Sequence, residues 1–114
     1  MDLDRAEFEA LVEQALDEIP AEIAAQVRNV VVLVEDEPPA DDPDLLGVYE
    51  GVSLTDRLTD HTGLPDTITV FRNPLLEMCE TPGELVREVR ITVVHEIAHH
   101  FGIDDDRLHQ LGYG

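Results

Sequence analysis

His95, Glu96 and His99 have the types and the spacing to do chemistry together. On an α-helix, positions four apart share a face, about 40° apart around the axis. His95 and His99 can therefore offer two imidazole nitrogens to one metal ion at about 2.0–2.1 Å. Glu96 projects beside them, close enough to hold a metal-bound water without being a ligand. An H-E-x-x-H pattern on a helix is the donor set for hydrolysis assisted by zinc, with the glutamate as general base.

That chemistry requires a real helix, and the flanking residues supply its ends. Thr81-Pro82-Gly83-Glu84 reads as a start, with Pro in the first turn and an acid after it. From Glu84 to Phe101 there is no Gly or Pro. Val86, Val93, Val94, Ile97, Ala98 and Phe101 share one broad apolar arc, and His95 and His99 lie opposite it, flanked by Glu96 and Thr92. The β-branched run Ile91–Val94 weakens the helix slightly. Gly102 stands where a left-handed residue ends a helix.

A zinc site of this kind needs three protein ligands and an open position. In one large class the third is a glutamate about twenty residues further on, and the 15 residues after His99 are too few for it. In another, the motif extends to H-E-x-x-H-x-x-G-x-x-H, and the glycine swings a third residue back. Here the stretch reads H-E-I-A-H-H-F-G-I-D-D, with Gly102 in register and Asp105 at the third-ligand position. A carboxylate can ligate zinc at about 2.0–2.2 Å. Asp105 lies three residues past the turn, a reach of at most about 10 Å. His109 is the alternative ligand, or a partner to a ligating carboxylate. Asp105 as a plain first-turn carboxylate of the next helix is the rival reading.

The other elements are expected to support this helix. Asp4 to Glu18 reads as a helix with Phe8, Leu11, Val12, Leu16 and Ile19 on one side. Pro20 breaks it, and Ala21 to Val27 is a second short piece. Val30 to Val34 is a β-branched run expected as a central strand. Glu35 to Asp44 is an acidic loop that cannot pack. Leu46 to Tyr49 is a short strand ending at Gly51, and Ser53 to Pro65 is irregular and polar. Asp66 to Arg72 alternates as a half-buried strand. Asn73-Pro74 turns the chain into one or two helical turns over Leu75–Glu80. A last short helix spans Asp104 to Leu111, with Asp104 as N-cap. The sum is one α+β domain over residues 1–114, a small mixed sheet with the metal helix packed on one face.

Composition narrows the partners. The chain carries 26 acidic against 7 basic residues, a net charge of −19. Such a surface repels phosphate backbones, so nucleic acid is not expected. It would attract cationic partners, although acidity that only aids solubility is the plainer account. Cys79 is the only cysteine, so no intrachain disulfide forms. The first residues show no signal-peptide pattern and no stretch approaches membrane-spanning length, so a cytoplasmic protein without a membrane partner is expected. Oligomeric state is not legible. His100 points about 100° from the metal face, and His61 lies in a polar loop. Tyr49 and Tyr113 are both candidates to stabilise an oxyanion, with nothing to choose between them.

HEIAHHFGIDDDRLHQLG, preceded by ITVFRNPLLE and GELVREVRITVV, resembles a small bacterial family of minimal zincin-like metallopeptidases, formerly a domain of unknown function. The resemblance runs from about Val30 to Tyr113. It implies a reduced metzincin-like fold and zinc on His95, His99 and Asp105, with Glu96 as base. It also implies that Thr67–Arg72 is the sheet edge along which an extended peptide lies. Metzincins place a methionine turn after the third ligand; here no Met follows Asp105, and Met78 precedes the motif. The leading expectation is zinc-dependent hydrolysis of peptide bonds. Two alternatives come from other classes. One is a metal-dependent ribonuclease with an H-x3-H-x5-D site, against which Glu96, Asp105 and the acidity argue. The other is a non-catalytic, metal-binding regulatory domain.

Overall fold

The structure is a computed structural model that describes residues 1–25, 30–51 and 65–113. Its elements in chain order are α1 (Arg5–Asp17), α2 (Ala21–Ala24), β1 (Val30–Glu35), β2 (Gly47–Glu50), β3 (Asp66–Phe71), α3 (Arg72–Met78), α4 (Pro82–Phe101) and α5 (Asp105–Gln110). Val27, at the end of the expected second helix, and residues 53–64, with His61, lie outside the described residues.

The 20-residue α4 is the axis of the domain. Thr81 caps it: the Glu84 N–H donates to Thr81 Oγ1 (3.2 Å), and the Glu84 carboxylate reaches back to the Glu80 N–H (2.9 Å). This leaves fewer first-turn donors unsatisfied and places an acid at the positive end of the helix. Gly102 ends it at φ 70°, ψ 29°, the left-handed conformation expected there. Leu85, Val89, Val93, Val94, Ile97 and Ala98 are buried along it, each large side chain contributing roughly 1.5–3 kcal/mol of apolar burial. Phe101 departs from the expected apolar arc: at 38% exposed it belongs to the surface.

α1 packs along α4 through Phe8, Val12 and Ala15, with Leu11, Leu16 and Ile19 half-buried beside them. α2 adds Ile23 and α3 adds Leu75 to the same core. α3 starts earlier than expected. Asn73 and Pro74 lie in its first turn rather than in a turn before it, where Pro has no interior hydrogen bond to lose. Among the described residues no helix is long and apolar enough to cross a membrane.

Among the described residues the sheet has three strands in the order β1-β3-β2, with β1 parallel and β2 antiparallel to β3. This reverses two expectations. Among the described strands the run Val30–Val34 lies at the edge, not at the centre, and exposes Val31 (42%) and Leu33 (45%). Asp66–Phe71 is the centre, buried at every position but Thr67 rather than half-buried. The alternation of threonine with apolar residues in β3 reads as one wet face, yet Thr69 is only 7% exposed. Because β3 is paired on both sides, Thr67–Arg72 offers no free edge, and the expected peptide-binding edge is not there. The architecture is nonetheless the α+β arrangement anticipated, with α4 packed on β2 and β3.

Candidate active site

α4 presents His95, Glu96 and His99 on the side that β2 approaches. The approach is close because position 47 is glycine. A Cβ built on Gly47 would lie 2.7 Å from Thr92 Cγ2 and 3.1 Å from the Thr69 carbonyl oxygen. Leu45, Leu46 and Gly47 thereby form one wall of a shallow pocket of about 260 Å³, and Thr92, His95, Glu96 and His99 form the other. The two imidazoles lie nearly parallel, 24° apart in plane with centroids 6.4 Å apart, as the four-residue spacing requires. His95 and Glu96 are half-buried and His99 is exposed.

The donor chemistry suits a zinc ion: two imidazoles from one helix face, a carboxylate beside them and a wall of apolar side chains. The third ligand is less complete. Asp105 is the first residue of α5, exposed and outside the pocket lining. His109 is exposed one turn on, also outside it. Among the described residues no three His, Cys, Asp or Glu side chains converge closely enough to hold a metal. Asp104 is the expected N-cap, its Oδ1 accepting from the Arg107 N–H (2.8 Å).

Two contacts around the site had no sequence signal. His95 Nε2 is 2.7 Å from the Tyr113 carbonyl oxygen, a bond that depends on the chain returning along α4 after α5. His100, only expected to face away from the metal, stacks on the Tyr49 ring with centroids 3.9 Å apart and planes 18° apart. The Tyr49 hydroxyl donates to Asp66 Oδ2 (2.6 Å), at the start of β3. The stack thus ties the end of α4 to the two strands beneath it. Neither tyrosine lines the pocket. Tyr49 is committed to this packing, and the Tyr113 ring lies 6.0 Å from the Arg90 guanidinium carbon.

Cys79 takes no part. It is buried, and that burial, followed by the charges of Glu88 and Glu84, pushes its thiol above the ordinary range. Met78 is 53% exposed beside Asp44, Leu46, Pro74 and Glu77 and forms no floor to the pocket.

Comparison with solved structures gives a match to a conserved hypothetical protein (TTHA0227) from Thermo thermophilus, with a TM-score of 0.55 and 24% identity. The match covers 87% of this chain and 94% of that one and shows a shared fold. No curated protein sequence matches significantly. The profile of the zincin-like metallopeptidases matches residues 27–114, a span that holds all three strands, the pocket and α5. The chain belongs to the zincin-like metallopeptidase family.

Proposed function

We propose that this chain is a zinc-dependent peptidase. The observation that carries the reading is the convergence of His95, Glu96 and His99 with the Leu45–Gly47 backbone on one pocket, within a zincin-like fold. His95 and His99 hold the metal, and Asp105, on the segment beyond Gly102, is the proposed third ligand. Zinc, when bound, acts as a Lewis acid that acidifies water and polarises the scissile carbonyl. Glu96 takes the proton of the attacking water and returns it to the leaving amine.

The substrate in this reading is an extended peptide lying across the pocket beside β2. Gly47, the first residue of β2, lines the pocket beside Glu96. The excess of acidic groups favours cationic peptides over nucleic acid as partners.

The test is zinc content together with cleavage of a broad peptide library and a chelator control. Wild-type protein is expected to hold about one zinc per chain. His95→Ala and His99→Ala each lose it. Glu96→Gln is expected to keep the zinc and lose roughly 100-fold or more of the cleavage rate, because the amide cannot accept the proton. Full zinc occupancy in both histidine variants would move the site elsewhere, and an active Glu96→Gln protein would end the proposed mechanism.

A further inference from the structure

Leu46 is shared between the pocket beside Glu96 and a second, shallower hollow of about 350 Å³, lined besides by Asp44, Pro74, Glu77 and Met78. Two pieces of chain build this hollow. One is the segment that enters β2. It is held by the Leu45 N–H on the Asp42 carbonyl (3.2 Å) and by the Phe71 N–H on the Leu46 carbonyl (2.9 Å). The other is one face of α3, where Pro74, Glu77 and Met78 stand at positions i, i+3 and i+4 and so lie side by side.

The lining joins apolar surface to negative charge. Met78 is 53% exposed, more than Val31, Leu33 or Phe101, and Leu46 and Pro74 are half-buried beside it. Asp44 and Glu77 are exposed and add two carboxylates but no base. The ion pairs among the described residues go elsewhere: Arg5 to Glu9 and Asp36, Arg72 to Asp36, Arg90 to Glu18 and Arg107 to Glu22. The terminal ammonium of Met1, a further cation close to α3, donates to the Leu76 carbonyl (2.9 Å).

A floor of leucine, proline and methionine suits an alkyl stem, and the two carboxylates suit a cationic head. Lysine and arginine are the side chains that carry both. We propose that this hollow is a specificity subsite that takes a lysine or arginine side chain of the peptide substrate. The proposal rests on the peptidase reading and narrows its substrate class. The two hollows share Leu46, and an extended chain advances about 3.3–3.6 Å per residue, so the basic residue lies within about three positions of the bond that is cut. The net charge of −19 pulls on a cation at every position of a peptide alike, whereas a subsite selects one position.

The experiment uses the full chain loaded with zinc. A peptide library first gives the preferred residue at each position around the cleaved bond, and wild type is expected to favour lysine or arginine at one of them. Two matched peptides then carry lysine or norleucine at that position; norleucine keeps the stem and lacks the ammonium. Asp44→Asn and Glu77→Gln are each expected to lower the lysine-over-norleucine ratio of kcat/KM roughly three-fold, the effect of losing one exposed ion pair. Glu77→Lys should turn the preference toward glutamate. Met78→Ser should slow both peptides together, because it removes floor and not charge. Glu13→Gln makes the same change in net charge beside β1 and should leave the ratio as in wild type. Cleavage without a basic preference, or a ratio that Asp44→Asn and Glu77→Gln leave unchanged, would overturn the subsite and leave the peptidase standing. An equal fall in Glu13→Gln would also overturn it, since the overall charge would then be what selects the substrate. Failure of the zinc-loaded wild type to cleave any peptide would remove the peptidase reading and the subsite together.

Discussion

Asp105 and His109 lie one turn apart on α5, and only one can be the third ligand in the proposed site. The proposed assignment to Asp105 rests on the motif register and on the carboxylate's affinity for zinc. His109 is placed more naturally to hydrogen-bond a ligating carboxylate than to replace it. Asp105→Ala is therefore expected to lose most zinc affinity, and His109→Ala roughly 10-fold, the lower end of the effect of removing a partner behind a ligand. Chelator competition distinguishes the two, and a near-normal Asp105→Ala with a crippled His109→Ala would reverse the assignment. The residues legible in the sequence were those whose signals are local. Thr81, Gly102 and Asp104 are caps decided by a few neighbours, and His95, Glu96 and His99 are fixed by helical period alone. The contacts of His95 with Tyr113 and of His100 with Tyr49 span 18 and 51 positions. Such pairs depend on how the chain returns, which no spacing rule reports.

At the scale of elements, the long helix was readable and the strand order was not. α4 announces itself by caps, length and period together. Val30–Val34 looks central because every residue is apolar, yet edge strands can be apolar when one face remains partly open. β3 looks half-wet because it carries threonines, yet threonine packs well inside a sheet. Which strand lies between the others is decided by connections and by the approach of β2 to α4, and that approach rests on Gly47. Gly47→Ala must push the new methyl against Thr92 Cγ2 and the Thr69 carbonyl. Thr92 is β-branched and stiff, and the carbonyl belongs to the central strand, so neither yields easily. The expected cost is about 1–3 kcal/mol of overpacking, read as a lower midpoint in urea unfolding. β2 should also move off the helix and weaken peptide cleavage more than zinc binding. Gly102→Ala is the contrasting case. Nothing lies within 4 Å of its built Cβ, so only the left-handed backbone is penalised, at roughly 1–2 kcal/mol.

Over the whole molecule the balance of charge sets the terms. All seven basic residues are arginines, and a net charge of −19 works against any compact state by self-repulsion. Arginine is used where distant segments meet. Arg72 Nε pairs with Asp36 (2.9 Å) while its Nη1 donates to the Leu3 carbonyl (2.7 Å), joining the acidic loop to α3 and the first residues. Arg107 forms a two-pronged pair with Glu22, joining α5, which carries Asp105, to α2 across 85 positions. The hydrogen bonds from Arg107, with its charge, hold the Glu22 carboxyl below its ordinary 4.5 despite some desolvation in the opposite sense. A carboxyl depressed in the folded state stabilises it above the ordinary value, and that contribution is lost as pH falls through the folded value. General repulsion runs the other way, since protonating surplus carboxylates relieves it, so the wild-type curve alone cannot isolate the pair. The difference between wild type and Glu22→Gln can. The variant should be less stable at pH 7, and the gap should persist down to about pH 5 and close below pH 4. Raising salt should narrow the gap because the pair is exposed, while stabilising both proteins by screening the acidic excess. Urea midpoints across pH at two salt concentrations would show this, and a gap that does not depend on pH would mean that Glu22 contributes through packing rather than charge.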